Sequence, residues 1–271
     1  MTSHPRITKP IVLITGANQG IGFAASRALA SEPYHYHILL GSRNPDNGAA
    51  AAQKLQSEGL AVEPVTIDIS SDESIQAAAD EVKSKYGRID ILINNAGICI
   101  YEEHSELLKL REQWRKTFET NVFGSLAVTE AFVPLLEASD LYWASQTESS
   151  ANTLAKKPTI LYISSSLGSL SNRADPNDRW STAPVAMDSY RASKAALNMV
   201  ALNFAARFRE RGWRVNTCCP GSVSTRINDF KAGLGVERSL PVIVGLVTGQ
   251  GIKGKEVGTA EFWDENGKVK W

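Results

Sequence analysis

Residues Ile11-Val12-Leu13-Ile14-Thr15-Gly16-Ala17-Asn18-Gln19-Gly20-Ile21-Gly22 read as an apolar strand entering a glycine-rich turn, and Phe23 to Ser31 continue as a helix. Glycine adopts positive φ without penalty and lets the backbone approach another group closely, so Gly16, Gly20 and Gly22 permit a tight strand-to-helix turn. The free N–H groups and dipole of the helix that follows favour an anion at its start. The spacing is Gly-x-x-x-Gly-x-Gly, with Asn18, Gln19 and Ile21 between the glycines, rather than Gly-x-Gly-x-x-Gly. Taken alone, that string is equally compatible with an ordinary strand-to-helix turn.

Outward from this turn the chain keeps alternating. Strands are expected at His37–Gly41, Ala61–Ile67, Ile89–Ile93, Thr159–Ile163 and Val215–Cys219, and helices at Ala49–Ser57, Asp72–Tyr86, Leu110–Glu137 and Ser189–Arg211. Asp46, after Pro45, is expected to cap the first of these helices. Such alternation predicts an α/β fold with a doubly wound parallel sheet and helices on both faces. At 271 residues with 43% hydrophobic content, the chain fits one domain spanning 1–271. Ligands of such sheets bind beyond the carboxyl ends of the strands.

Arg43 lies just past the second strand, where a dinucleotide-binding unit meets the adenosine ribose. An acidic residue there would accept from the 2′-hydroxyl of NAD(H). A guanidinium instead suits a 2′-phosphate, which favours NADP(H), with NAD(H) the second choice.

Composition excludes some partners. Lysine plus arginine number 29 and aspartate plus glutamate 29, so the formal charge is zero and offers no general attraction to nucleic acid or an anionic membrane. No apolar stretch is expected to span a bilayer, and the polar start Met1–Lys9 lacks the hydrophobic centre of a secretory signal, which together suggest a soluble cytoplasmic protein. Cys99, Cys218 and Cys219 make no disulfide framework. His4, His35, His37 and His104 make no metal-ligand pattern; His35 and His37 could share a face of a strand but read as solvent-exposed polar residues.

Chemistry enters with Tyr190-Arg191-Ala192-Ser193-Lys194, where one helical turn sets a phenol beside an ammonium. Free tyrosine titrates near pH 10, and a fixed positive charge favours the phenolate. Three further motifs follow strands: Asn94-Asn95-Ala96-Gly97, Ser164-Ser165 and Pro220-Gly221-Ser222-Val223-Ser224-Thr225. In this order, with the glycine turn, they resemble the short-chain dehydrogenase/reductase family over about Pro10 to Trp271, and its carbonyl-reductase-like branch in particular.

The resemblance implies a Rossmann fold and hydride transfer between a nicotinamide and a carbonyl or alcohol carbon. Tyr190 is then the acid/base, and Lys194 lowers its pKa and bonds the nicotinamide ribose. Ser165 orients the substrate oxygen, with Ser164 and Ser166 as alternatives, and Asn121 holds a water in a relay to Lys194. Asp68 accepts from adenine with Ile69 beside it, Asn95, Ala96 and Gly97 line the adenosine ribose, and Val223 and Thr225 follow Pro220 and Gly221 against the carboxamide. A small-molecule carbonyl or alcohol partner is implied, most readily a ketone or aldehyde. A homo-oligomer through the helices near Leu110 and Ser189 is implied, and a monomer is equally compatible with the sequence. A cofactor-bound protein with non-redox or regulatory function is the competing class, since fold does not fix function.

Ala138–Lys157 and Leu167–Asp188 read as polar insertions beside the site, 222–240 as a substrate flap, and Phe262-Trp263-Asp264 as the start of an edge strand.

Overall fold

Strand β1 (Ile11–Ile14) is an interior strand of an eight-stranded sheet in the computed structural model, flanked by β2 (His37–Ser42) and β4 (Ile91–Asn94). The sheet order is β3 (Val62–Thr66), β2, β1, β4, β5 (Thr159–Ile163), β6 (Arg214–Cys218), β7 (Phe262–Asp264) and β8 (Gly267–Lys268). Pairings through β7 are parallel, and β8 runs antiparallel to β7. The structure describes residues 7–100, 106–146, 157–178, 181, 187–223 and 234–271.

Because side chains alternate across a strand, each central strand feeds two apolar layers. Leu13, Leu39 and Leu92 face α3 (Asp72–Tyr86), α5 (Ser125–Ser145) and α7 (Asp188–Arg207) through Val82, Phe132 and Leu197. Ile14, Leu40 and Ile93 face α1 (Gly20–Ala30), α2 (Pro45–Gln56) and α8 (Leu240–Thr248) through Leu29, Leu55 and Leu246. Chain order reverses between β1 and β4, so their carboxyl ends open a crevice there.

Several expected boundaries move. Helix α2 starts at Pro45, and its cap is Asn44, whose Oδ1 accepts from Asn47 N at 2.8 Å, so Asp46 lies inside the first turn. The single helix expected from Leu110 is α4 (Leu107–Phe118), a π-turn at Glu119–Gly124 and then α5. Residues 138–145, expected to begin an insertion, extend α5 because their polar groups point inward: Ser139 Oγ and Trp143 Nε1 donate to the buried Asp90 Oδ1 at 2.5 and 2.6 Å. Residues 147–156 of that segment lie outside the described ones.

The helical stretch Leu107–Ser145 also corrects the expectation about bilayer-length apolarity. By length and composition it holds a window able to cross a membrane, yet 56% of that window is buried in the fold. The described part of the segment after β5 holds a 3₁₀ turn at Ser166–Gly168 and α6 (Leu170–Ala174), and residues 179–180 and 182–186 of the expected insertion lie outside the described ones. Ser169 Oγ donates to Lys270 O and Ser171 N to Trp271 O, tying α6 to the carboxyl-terminal residues. Phe262–Asp264 is an internal strand, with β8 outside it at the sheet edge. His37, expected to be exposed, is partly buried with its Nε2 3.2 Å from Glu63.

Candidate active site

The glycine turn and the Asn94 motif are clasped together. Thr15 Oγ1 accepts from Asn95 N and Ala96 N at 3.0 and 3.1 Å, while Asn95 Nδ2 donates to Thr15 O and Gly16 O at 2.8 and 3.1 Å. Gly16 and Gly20 have φ of 61° and 58°, values that disfavour other residues. A Cβ on Gly16 would stand 2.9 Å from Ala96 Cα, and one on Gly22 only 2.6 Å from Asn95 Nδ2. At the start of α1, Gln19 makes no side-chain cap and the first turn holds no acidic residue, so nothing there competes with an anion for the free N–H groups. Asn18 and Ile21 are partly buried in the same turn.

Ala17 N donates to Gly41 O at 2.8 Å, which brings the end of β2 alongside the turn. Arg43 follows, exposed, and its charge helps hold the Asp68 carboxyl below its usual range. The larger cause is local: Asp68 Oδ1 accepts from Ser70 N at 3.0 Å and Ser70 Oγ at 2.7 Å. Ile69 is buried, its carbonyl facing Gly124.

The expected catalytic residues meet at the β4–β5 side of the crevice. Tyr190 and Lys194 face one way from α7, with Lys194 Nζ 5.6 Å from the Tyr190 ring centre. Lys194 Nζ donates to Ile163 O at 2.8 Å, and the Tyr190 hydroxyl is bonded to the Ser165 side chain. Ser165 Oγ also accepts from Leu167 N at 3.2 Å. Asn121 lies in the π-turn, a distortion common at functional sites. Its Oδ1 accepts from Ile98 N at 2.8 Å, and its Nδ2 donates to Ile98 O at 2.9 Å and to Ser193 Oγ at 3.0 Å. Ser193 Oγ in turn donates to Tyr190 O at 2.7 Å. Gly97 packs into the angle between them, 3.2 Å from Asn121 Oδ1 and 3.5 Å from Lys194 Nζ at its Cβ position.

Burial pushes the Tyr190 phenol well above its usual value, Cys99 and Cys219 push the same way, and the hydrogen bond to Ser165 pulls back. Burial also lowers Lys194 to about 8, opposed by Cys218, Cys219 and Cys99. Cys99 itself is pushed up to about 11 by burial, with the Lys194 charge pulling down.

Pro220 is buried, Gly221 has φ of 80°, and Val223 is 3% exposed. Ser222 and Gly221 border a cavity of about 130 Å³ shared with Ser166, Cys219, Arg238 and Glu265. Thr225 and most of the expected flap lie outside the described residues. Sequence reasoning overlooked Thr15 and Ser193, whose hydroxyls bridge motifs far apart in the chain. The only local sign was the hydroxyl residues' position inside the motifs. No group of three or more His, Cys, Asp or Glu able to hold a metal occurs among the described residues.

A family model described as "short chain dehydrogenase" matches residues 10–168 and 181–232. The short-chain dehydrogenase anuI of Penicillium roqueforti is 37% identical over 232 residues, covering 85% of this chain and 84% of its own. Carbonyl reductase [NADPH] 1 of Mus musculus is 26% identical, covering 83% and 86%. Among solved structures, the NADPH-bound carbonyl reductase from chicken fatty liver superposes with a TM-score of 0.78 at 27% identity, covering 97% of this chain and 99% of that one. The match, extending from the glycine turn through Tyr190 and Lys194, shows that this chain belongs to the short-chain dehydrogenase/reductase family.

Proposed function

We propose that this protein is an NADP(H)-dependent oxidoreductase that reduces a ketone or aldehyde, with Tyr190 as the proton donor. The observation that carries this reading is the single cluster of Tyr190, Lys194, Ser165 and Asn121 beside the glycine cradle. Gly16 and Gly22 leave no room for a Cβ, and the start of α1 is uncapped, so a pyrophosphate fits there with its charge met by the helix N–H groups. Arg43, exposed past β2, suits a 2′-phosphate, and relatives named as NADPH carbonyl reductases support that choice. Asp68 and Ile69 would border the adenine, Asn95, Ala96 and Gly97 the ribose, and Pro220, Gly221, Val223 and Thr225 the carboxamide.

When bound, the dinucleotide supplies the hydride to the carbonyl carbon. Tyr190 gives its proton to the carbonyl oxygen, so the product is the alcohol. Burial keeps the phenol protonated at neutral pH, the form a reductase needs before each turnover. Ser165, already bonded to that hydroxyl, orients the substrate oxygen toward it. At neutral pH Lys194 carries its charge most of the time, which favours the tyrosinate left after transfer. Asn121 and Ser193 fix the helix start that carries Tyr190. Positioned proton transfer of this kind contributes about 10²- to 10⁴-fold, and orientation must supply much of the rest.

The test is purified protein with NADPH and a panel of aromatic and cyclic ketones. Reduced cofactor should be consumed, and Tyr190→Phe should abolish turnover while keeping NADPH binding. Turnover that survives this substitution would defeat the mechanism. Absence of turnover with tight NADPH binding would favour a non-redox protein on the same fold.

A further inference from the structure

Helix α7 presents Asn198 four residues beyond Lys194 and eight beyond Tyr190, so all three lie along one face. Asn198 is 4% exposed, and its amide reaches across to the segment that follows β5. Ser164 Oγ donates to Asn198 Oδ1 at 2.6 Å, and Asn198 Nδ2 donates to Gly168 O at 3.4 Å. Ser164 and Gly168 bracket Ser165, whose side chain bonds the Tyr190 hydroxyl. The two elements also touch without slack: a Cβ on Gly168 would stand 2.7 Å from both the carbonyl carbon and the Cβ of Lys194.

We propose that Asn198 is a positioning residue that sets Ser165 against Tyr190, by holding both ends of the Ser164–Gly168 turn to the helix that carries the acid/base pair. The inference rests on the oxidoreductase reading above. An amide suits the task because one oxygen accepts while its NH₂ donates. Leucine has the same branching and number of heavy atoms and meets neither group, so a leucine variant leaves Ser164 and Gly168 O without their buried partner. Slack in the turn lets Ser165 drift from Tyr190 and misplaces the substrate oxygen that both groups address, which costs turnover before it costs cofactor binding.

The experiment compares wild type, Asn198→Leu and Ser164→Ala, using NADPH and a ketone that wild type reduces, with Tyr190→Phe as reference. Asn198→Leu should lose roughly 10- to 100-fold in kcat with KM for NADPH unchanged, the scale expected of a small misplacement of a reacting group. Ser164→Ala, which removes one of the two anchors, should show the same split between kcat and KM. Should Asn198→Leu fail to fold, Ser164→Ala decides the matter alone. A kcat loss that merely tracks a lower melting temperature, or one matched by an equal rise in KM for NADPH, overturns the inference. So do wild-type kinetics in the folded variants while Tyr190→Phe is inactive, and that result leaves the oxidoreductase reading standing. Wild type that reduces no ketone overturns both.

Discussion

Lys194 Nζ donates to Ile163 O at 2.8 Å from a side chain almost wholly removed from water. Burial lowers its pKa from 10.5 to about 8. Below pH 8 both folded and unfolded chains carry the ammonium, and the cost of burying it is paid in full. Between pH 8 and 10.5 the unfolded chain holds a proton that the folded one has released, so this contribution to stability grows as pH rises. The stability of wild type relative to Lys194→Met should therefore increase by on the order of 2 kcal/mol from pH 8 to pH 10. Denaturant unfolding across that range checks it. Cys99 and Cys218, whose raised pKa values make stability fall as pH passes the ordinary thiol value, are present in both proteins, so the difference cancels the part of that trend that burial causes. A flat difference would reject the assignment.

Gly22→Ala should disrupt the clasp at the glycine turn. Its Cβ would lie 2.6 Å from Asn95 Nδ2, 2.8 Å from Ala17 Cα and 2.8 Å from Gly16 O, and two of these are backbone atoms with nowhere to go. We expect a loss of about 1–3 kcal/mol of stability together with loss of NADPH binding. A urea midpoint and a fluorescence titration measure the two, and unchanged affinity would remove the cradle from cofactor binding.

Arg43→Ala should separate the cofactors. The side chain is exposed, so stability should stay within about 0.5 kcal/mol of wild type. Losing a charge-assisted bond to a 2′-phosphate should weaken NADPH binding roughly 10- to 100-fold and leave NADH nearly untouched. Equal losses for both would take Arg43 out of that role.

Asp90→Ala tests the far side of the sheet. The carboxylate, 1% exposed, accepts from Ile11 N at 2.6 Å on one oxygen and from Ser139, Trp143 and Arg88 on the other. Removing it leaves the buried Arg88 guanidinium without its charged partner, at a cost of about 3–5 kcal/mol. Thermal unfolding should show a large drop, whereas an unchanged midpoint would mean that the helix extension to Ser145 does not depend on this carboxylate.

Much of the site was legible in the chain because its motifs are short and each ends a strand. The Tyr190–Lys194 pair needs only a helix to place both groups on one face, and Gly16, Gly20 and Gly22 need only a turn. The π-turn at Asn121 was not legible, since Gly124 at its end is a residue that an ordinary α-helix also tolerates. The extension of α5 was misread because Ser139 and Asp140 look like surface residues until Asp90 and Trp213 are seen beside them.

From sequence alone came the alternating strands and helices, the glycine turn and the shared helix face of Tyr190 and Lys194, all encoded by periodicity and sterics over a few residues. The tertiary structure decided which of these meet: Thr15 finds Asn95 across 80 positions, and Asn121 finds Ser193 across 72. It also decided the protonation of Tyr190 and Lys194. Desolvation depends on everything packed around a group, and no spacing along the chain encodes that.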